Sequence, residues 1–222
     1  MSEALDAGVG IEGVYVASDA DPDLVARADA AGIRVHELAP GVLERVADTT
    51  TPQPVMAVAR IVDVPIEALA QASLVLVCVD VRDPGNLGTV LRSAEAAGAG
   101  GVACCDGSVD VYNPKCVRAS AGALFHVPVV AGGDPLEVLA TLESYGLRRL
   151  GTQPAGGTPY HRTDLGRPTA LVLGNEAWGL PDEVSGLLDE EVTIPMAGRL
   201  ESLNVGMAAA VLCFEAARQR SS

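Results

Sequence analysis

"LVLVCVDVRDPGNLGTVLRSAEAAG", residues 74–98, begins with six apolar residues in a row and ends in a run of small residues at helical spacing. An unbroken apolar run of that length predicts a central parallel strand over 74–80, covered on both faces. Asp83-Pro84-Gly85 then reads as a tight turn, with Asn86 as the N-cap of a helix over 86–98. Downstream the same rhythm continues: strand 101–105, helix 113–124, strand 126–130, helix 135–146, strands 148–153 and 169–174, a short helix 182–189, strand 191–196, and a closing helix 202–219. Alternation of this kind implies an α/β fold with a parallel sheet. Upstream, strand 13–18, helix 21–32, strand 33–38, helix 40–48 and strand 54–62 form a smaller α/β unit. The expected division is therefore a small domain over 1–68 and a larger one over 72–222.

Bulk properties narrow the function. Hydrophobic residues make up 49% of the 222 and aromatics only 3%, so the core must be built from Ala, Val and Leu. There is no apolar run of 18 residues and no basic segment ahead of an apolar stretch, so neither membrane spanning nor secretion is expected. Five cysteines, an odd number with no CxxC pair, predict buried thiols in a cytoplasmic protein rather than disulfides or a zinc site. Histidines 36, 126 and 161 have no ligand spacing, so no metal is expected. GxSxG, HExxH and GxxxxGK[ST] are absent, which removes the common hydrolase, metalloprotease and NTPase readings. The net charge of −14 disfavours a wholly basic nucleic-acid face. It is uneven, −8 over residues 1–74 and −6 over 75–222, and any RNA contact must come from local arginines.

In open α/β sheets ligands sit beyond the C-terminal ends of the strands, and four loops lie there. Residues 80–98 offer Asn86 and Arg92, with Arg82 adding a second cation. "LVLGNEAWGLP", 171–181, runs a buried strand into Gly174, Asn175, Glu176 and the only tryptophan; a plain surface turn anchored by packing of Trp178 is the other reading. "MAGRLESLNVGMAAA", 196–210, carries Ser202, a candidate N-cap, and Asn204 at the threshold of an apolar helix. The stretch 149–168 holds Thr152 and a Gly-rich loop with His161, Arg162 and Arg167, long enough to be functional or mobile.

Taken together, "NLGTVLRSAEAAGA" (86–99), "LVLGNEAWGLP" (171–181) and "IPMAGRLESLNVGMAAAVLCFE" (194–215) resemble the SpoU (TrmH) family of the SPOUT superfamily, the AdoMet-dependent RNA 2′-O-ribose methyltransferases. The resemblance covers roughly residues 74–219. It implies a parallel-sheet domain closed by a deep C-terminal trefoil knot, a topology that chain-threading rules alone would reject. It implies a homodimer, S-adenosyl-L-methionine held in the knot, and RNA across the subunit interface. Carried over by position, Asn86, Arg92, Glu176, Ser202 and Asn204 are the expected catalytic residues. Thr152, Leu173, Gly174, Ile194, Met196 and Leu203 are the expected cofactor contacts. Residues 1–68 resemble the L30e-like substrate-binding domain that often precedes this catalytic domain, without its usual lead-in strand and helix, which suggests a trimmed domain and favours rRNA over tRNA. Two positions depart from the family pattern: Ala177 stands where glycine is usual, and Gly206 where a small serine is common. Because an arginine stays protonated, Arg92 is expected to anchor phosphate and stabilise developing alkoxide charge rather than act as a base. Arg82, Arg92, Arg118, Arg162 and Arg199 are the expected basic patch. A non-catalytic AdoMet- or RNA-binding relative with the same knot is the alternative, and retention of Arg92, Glu176, Ser202 and Asn204 argues against it. An unrelated α/β small-molecule enzyme is a third reading, disfavoured by the absence of any other catalytic motif.

Overall fold

The computed structural model describes residues 1–47 and 52–221, which divide into two compact units, 1–62 and 63–222. In the first unit the elements are α1 (Ser2–Asp6), β1 (Ile11–Val16), α2 (Pro22–Ala30), β2 (Val35–Glu37), α3 (Val42–Val46) and β3 (Val55–Ala59). α1 was not expected. β1 keeps its expected length but begins two residues earlier, β2 and β3 are shorter than the sequence pattern suggests, and the last residue of the predicted helix 40–48 lies outside the described residues. β1 pairs parallel with β2 and antiparallel with β3, giving the order β2-β1-β3. Val14, Val16 and Ala28 are buried, with Val25, Ile33 and Val55 packed against them. Asp21 starts α2 by accepting the Asp23 amide at 3.0 Å, with proline at the first helical position.

The larger unit contains β4 (Leu74–Cys78), α4 (Pro84–Ala96), β5 (Gly101–Cys104), α5 (Pro114–Ala119), β6 (Val129–Ala131), α6 (Pro135–Ser144), β7 (Arg148–Gln153), β8 (Thr158–Pro159), β9 (Thr169–Leu173), α7 (Asp182–Ser185), β10 (Glu190–Thr193) and α8 (Val205–Arg220). The sheet is parallel throughout, in the order β6-β5-β4-β9-β7-β10-β8. β4 lies inside it between β5 and β9, and all five of its residues are buried, as an unbroken apolar run requires. Val75 and Val77 face one way, onto Val138, Leu139 and Leu142 of α6 and Val184 of α7. Strand alternation turns Leu74, Leu76 and Cys78 to the opposite layer, where α4 packs against both α5 and α8. Each such side chain contributes roughly 1.5–3 kcal/mol on burial. All five cysteines are free and buried. Among the described residues no helix is long and apolar enough to cross a membrane.

Several expectations need correcting. α4 begins at Pro84, and its cap is Asp83, which accepts the Asn86 amide at 2.9 Å; Asn86 is not the cap. Two strong caps lie three residues apart, and the Asp-Pro pair wins because proline suits the first helical position. Likewise α8 begins at Val205 with Asn204 as cap, so Ser202 lies outside the helix. The predicted helix 113–124 ends at Ala119, where Ala121 (φ 50°) and Gly122 (φ 95°) turn the chain left-handed. The strand predicted at 126–130 shifts to 129–131, helix 182–189 shortens to 182–185, and strand 191–196 ends at Thr193. The 149–168 stretch is largely tied down rather than loose. β8 pairs with β10, and Gln219 of α8 donates to the Thr163 carbonyl (3.1 Å) and accepts the Leu165 amide (2.8 Å).

Candidate active site

Asn204 sets the geometry. As N-cap of a 16-residue helix, its Oδ1 accepts the amides of Gly206 (2.9 Å) and Met207 (3.4 Å). Only the carbonyl end of the side chain can accept, so its amino group must point outward. That Nδ2 donates to Asn86 Oδ1 at 2.7 Å, which turns the Asn86 amino group to Glu176, where it donates to Oε1 at 2.5 Å. A cap at the start of α8 thus fixes, through two amides, a carboxylate acceptor in the loop after β9. Three segments separated by 90 and 118 residues meet in this relay. Asn86 is available for it because Asp83 does the capping. The Asp83 carboxyl is held below its usual range, first by the Asn86 amide and then by the Lys115 ammonium 3.3 Å away.

The loop that presents Glu176 is closed on itself. Asn175 and Gly179 exchange backbone hydrogen bonds at 3.0 and 2.9 Å, and Asn175 Oδ1 accepts the Ala177 amide at 2.8 Å. Asn175 is buried, and its Nδ2 donates to the Asp80 carbonyl at 2.8 Å, tying the loop to the end of β4. Gly174 is required because a Cβ there would lie 2.6 Å from the Gly179 carbonyl carbon, and Gly179 takes the left-handed conformation at φ 72°. Glu176 is left exposed at the tip.

Beside this loop lies a cleft of about 520 Å³, whose lining includes Ile194, Met196, Leu203, Gly174, Glu176 and Thr152. Ser202 is exposed at its mouth, and its hydroxyl has no partner among the described residues. The Thr152 hydroxyl donates to the Val172 carbonyl at 3.1 Å. Leu173 does not line the cleft: its side chain is fully buried, and its carbonyl accepts the Val79 amide at 2.9 Å. Arg92 also lies off the cleft, exposed on α4 six residues beyond Asn86, roughly 9 Å along the helix axis. It has no ion pair among the described residues. The titratable residues of the cleft wall are the carboxylates Glu176 and Glu201; no Lys, Arg or His lines it. Such a site suits a ligand with an apolar body and positive charge, and is poor for a phosphate-bearing one.

Residues 73–214 match the SpoU rRNA Methylase family, and residues 1–64 match the RNA 2′-O ribose methyltransferase substrate-binding family. The chain belongs to the SpoU methylase family. It is 38% identical over 183 residues to the 23S rRNA (guanosine(2553)-2′-O)-methyltransferase RlmP of Bacillus subtilis, across 82% of this chain and 72% of that protein. It is 42% identical over 147 residues to a 23S rRNA (uridine(2479)-2′-O)-methyltransferase of Streptomyces viridochromogenes, across 63% of this chain and half of the relative. The crystal structure of the SpoU methyltransferase AviRb from Streptomyces viridochromogenes, in complex with AdoMet, superposes with a TM-score of 0.88 at 31% identity, covering 99% of this chain and 87% of that one.

Both departures from the SpoU pattern are accommodated. Ala177 is not left-handed, since among the described non-glycine residues only Asp80 and Ala121 have positive φ. At Gly206 a Cβ would lie 2.9 Å from the Thr89 side chain and 3.2 Å from Asn204 Oδ1. Glycine there lets the first turn of α8 approach α4 closely enough for Asn204 to reach Asn86. Sequence reasoning missed Asp80 and left Asn175 without a role; an Asn two residues before a small residue is the Asx-turn signal that points to Asn175. Trp178 does not anchor the turn: it is 61% exposed.

Proposed function

We propose that the cleft binds S-adenosyl-L-methionine and that the chain methylates a ribose 2′-hydroxyl in rRNA. The observation that carries this reading is the Asn204–Asn86–Glu176 relay beside a cleft whose titratable wall is entirely acidic. Glu176 and Glu201 suit the charge of a sulfonium, and Ile194, Met196 and Leu203 suit the apolar faces of the rest of the cofactor. When bound, AdoMet supplies a methyl group activated by the positive sulfur. Methyl transfer is an in-line displacement, so the residues of the chain act mainly by positioning. Asn204 and Asn86 hold Glu176 at the edge of the cleft, and the Ser202 hydroxyl is free to donate or accept there. Arg92 lies off its own chain's cleft; in a homodimer its guanidinium anchors the neighbouring phosphate at the subunit interface and stabilises the oxygen as it loses its proton to water or to an RNA phosphate.

The same reading makes residues 1–68, which contain the first unit (1–62), an L30e-like substrate-binding domain, and 72–222 a catalytic domain closed by a trefoil knot. In support of the knot, the chain leaves β10, beyond β7, and returns to set α8 on α4. The chain works as a homodimer: α8 buries one face yet leaves Met207 and Phe214, seven residues apart on another, 61% and 54% exposed. Arg82, Arg92, Arg118, Arg162 and Arg199 are all exposed and would be doubled by dimer symmetry, giving an acidic protein a local basic surface. Five reduced thiols and an rRNA substrate fit the cytoplasm. Arg92→Ala should abolish methylation of rRNA while AdoMet affinity stays within a few-fold; unchanged turnover in that variant would overturn the assignment.

A further inference from the structure

Trp178 is the chain's only tryptophan, and it stands 61% exposed at the rim of the cleft. A large ring left in solvent gains little from burial, and an unconstrained one would be free to reorient. This one is held. Its Nε1 donates to Asp80 Oδ2 at 3.1 Å, and the Arg82 guanidinium lies over the ring, 5.1 Å from the centroid. Arg82 is itself fixed by its Nε, which donates to Asp80 Oδ1 at 2.7 Å. Asp80 adopts φ 55°, a conformation non-glycine residues rarely take, and also accepts from Asn175 through its carbonyl. One aspartate therefore locks the end of β4, the Glu176 loop, the indole and the guanidinium into a single unit.

We propose that Trp178 and Arg82 form a stacking site for a nucleobase of the RNA substrate, set in place by Asp80. This rests on the methyltransferase reading above and adds a substrate contact to it. Arg82 covers one face of the ring and the rest is open. The Arg82 side chain is 63% exposed, and neither terminal nitrogen of its guanidinium has a partner among the described residues. An open aromatic face beside a cation with free donors fits a base stacked on the ring and its phosphate at the arginine. The cofactor is the poorer occupant, because a guanidinium repels a sulfonium and the cleft wall proper has no basic group.

The test compares methyl transfer to unmodified 23S rRNA transcript, AdoMet affinity, and the emission of the single tryptophan. Trp178→Ala should raise the KM for rRNA about 10- to 100-fold, the effect of losing one base–aromatic stack, with AdoMet affinity within about twofold. Trp178→Phe, which keeps a ring but not the N–H, should lose less than about fivefold. In the wild type, rRNA added without AdoMet should quench the tryptophan. Unchanged KM in Trp178→Ala with no quenching overturns the proposal. So does a loss of AdoMet affinity as large as the rise in KM, which would assign the ring to the cofactor. A wild type that transfers methyl groups normally beside an unaffected Trp178→Ala overturns this proposal alone; a wild type that transfers none overturns the methyltransferase reading as well.

Discussion

Asn204 serves two functions through the two ends of one amide, and substitution can separate them. Asn204→Ala removes both. Loss of an N-cap side chain typically costs about 1 kcal/mol, within a range of about 0.5–2. Here the cap accepts one amide at 2.9 Å and a second only at 3.4 Å, so the contribution falls near the middle of that range. The bond to Asn86 is partly solvated and adds about 0.5 kcal/mol. The expected total is about 1.5 kcal/mol, measured as the loss of unfolding free energy in urea. Asn204→Asp keeps an acceptor for the helix and adds negative charge at its positive end, so stability should stay within about 0.5 kcal/mol of wild type. It removes the donor to Asn86, however. The Asn86 amide then turns its amino group to the new carboxylate and presents its oxygen to Glu176, and two acceptors face each other at the cleft. Misplacement of this kind costs about tenfold to a hundredfold in methyl transfer. The two variants should therefore part company: Ala less stable and less active, Asp equally stable but still impaired. An Asp variant with full activity would refute the relay, and an Ala variant with unchanged stability would refute the cap.

Two further outcomes concern the rest of the molecule. Burial pushes the Cys105, Cys116 and Cys213 thiols up to about 12 and raises Cys78 as well, through its contact with Cys104 and burial. At about pH 8 a thiol-specific colorimetric reagent should label almost none of the five cysteines in the folded protein and all of them in denaturant; rapid labelling of the native protein would contradict the packing around β4 and β5. On the acid side, Arg218 and Gln219 hold the Glu215 carboxyl down to about 2 from an ordinary 4.5, and the Arg149 guanidinium lowers Asp189. A lowered carboxyl contributes stability that is complete above its unfolded value and lost as pH falls through the folded one. The urea midpoint should thus decline as pH drops from 4.5 toward about 2, and less steeply in Glu215→Gln; identical acid profiles would remove Glu215 from the account.

The fold was legible where one signal dominated. Leu74–Val79 has no plausible state but a covered strand, and α2 and α6 announce themselves with Asp-Pro at their starts. It was misread where two signals competed within a few residues. Asp83 and Asn86 are both good caps, and the proline after Asp83 decides between them; Ser202 and Asn204 are also both good caps, and there only the packed structure decides. In each case the residue that does not cap is left free for the cleft. The meeting of Glu176, Asn86 and Asn204 has no local trace, because it depends on where three distant segments are brought together. Gly206 reads as a mild departure in the sequence and as a requirement in the structure, since its meaning lies in the Thr89 side chain beside it. Trp178 leaves two readings open in the sequence, because an aromatic residue in a turn often packs inward, and nothing nearby in the sequence reveals that Asp80 holds it outward.

The most direct measurement is alkaline digestion of unmodified 23S rRNA after incubation with the protein and methyl-labelled AdoMet. A methyl group on the 2′-oxygen blocks its attack on the adjacent phosphodiester, so the account predicts label in alkali-resistant dinucleotides, and none when Arg92→Ala replaces the wild type. Label released in mononucleotides would place the methyl group on a base, and its absence from RNA while AdoMet still binds would mark a non-catalytic relative; either result would contradict the account.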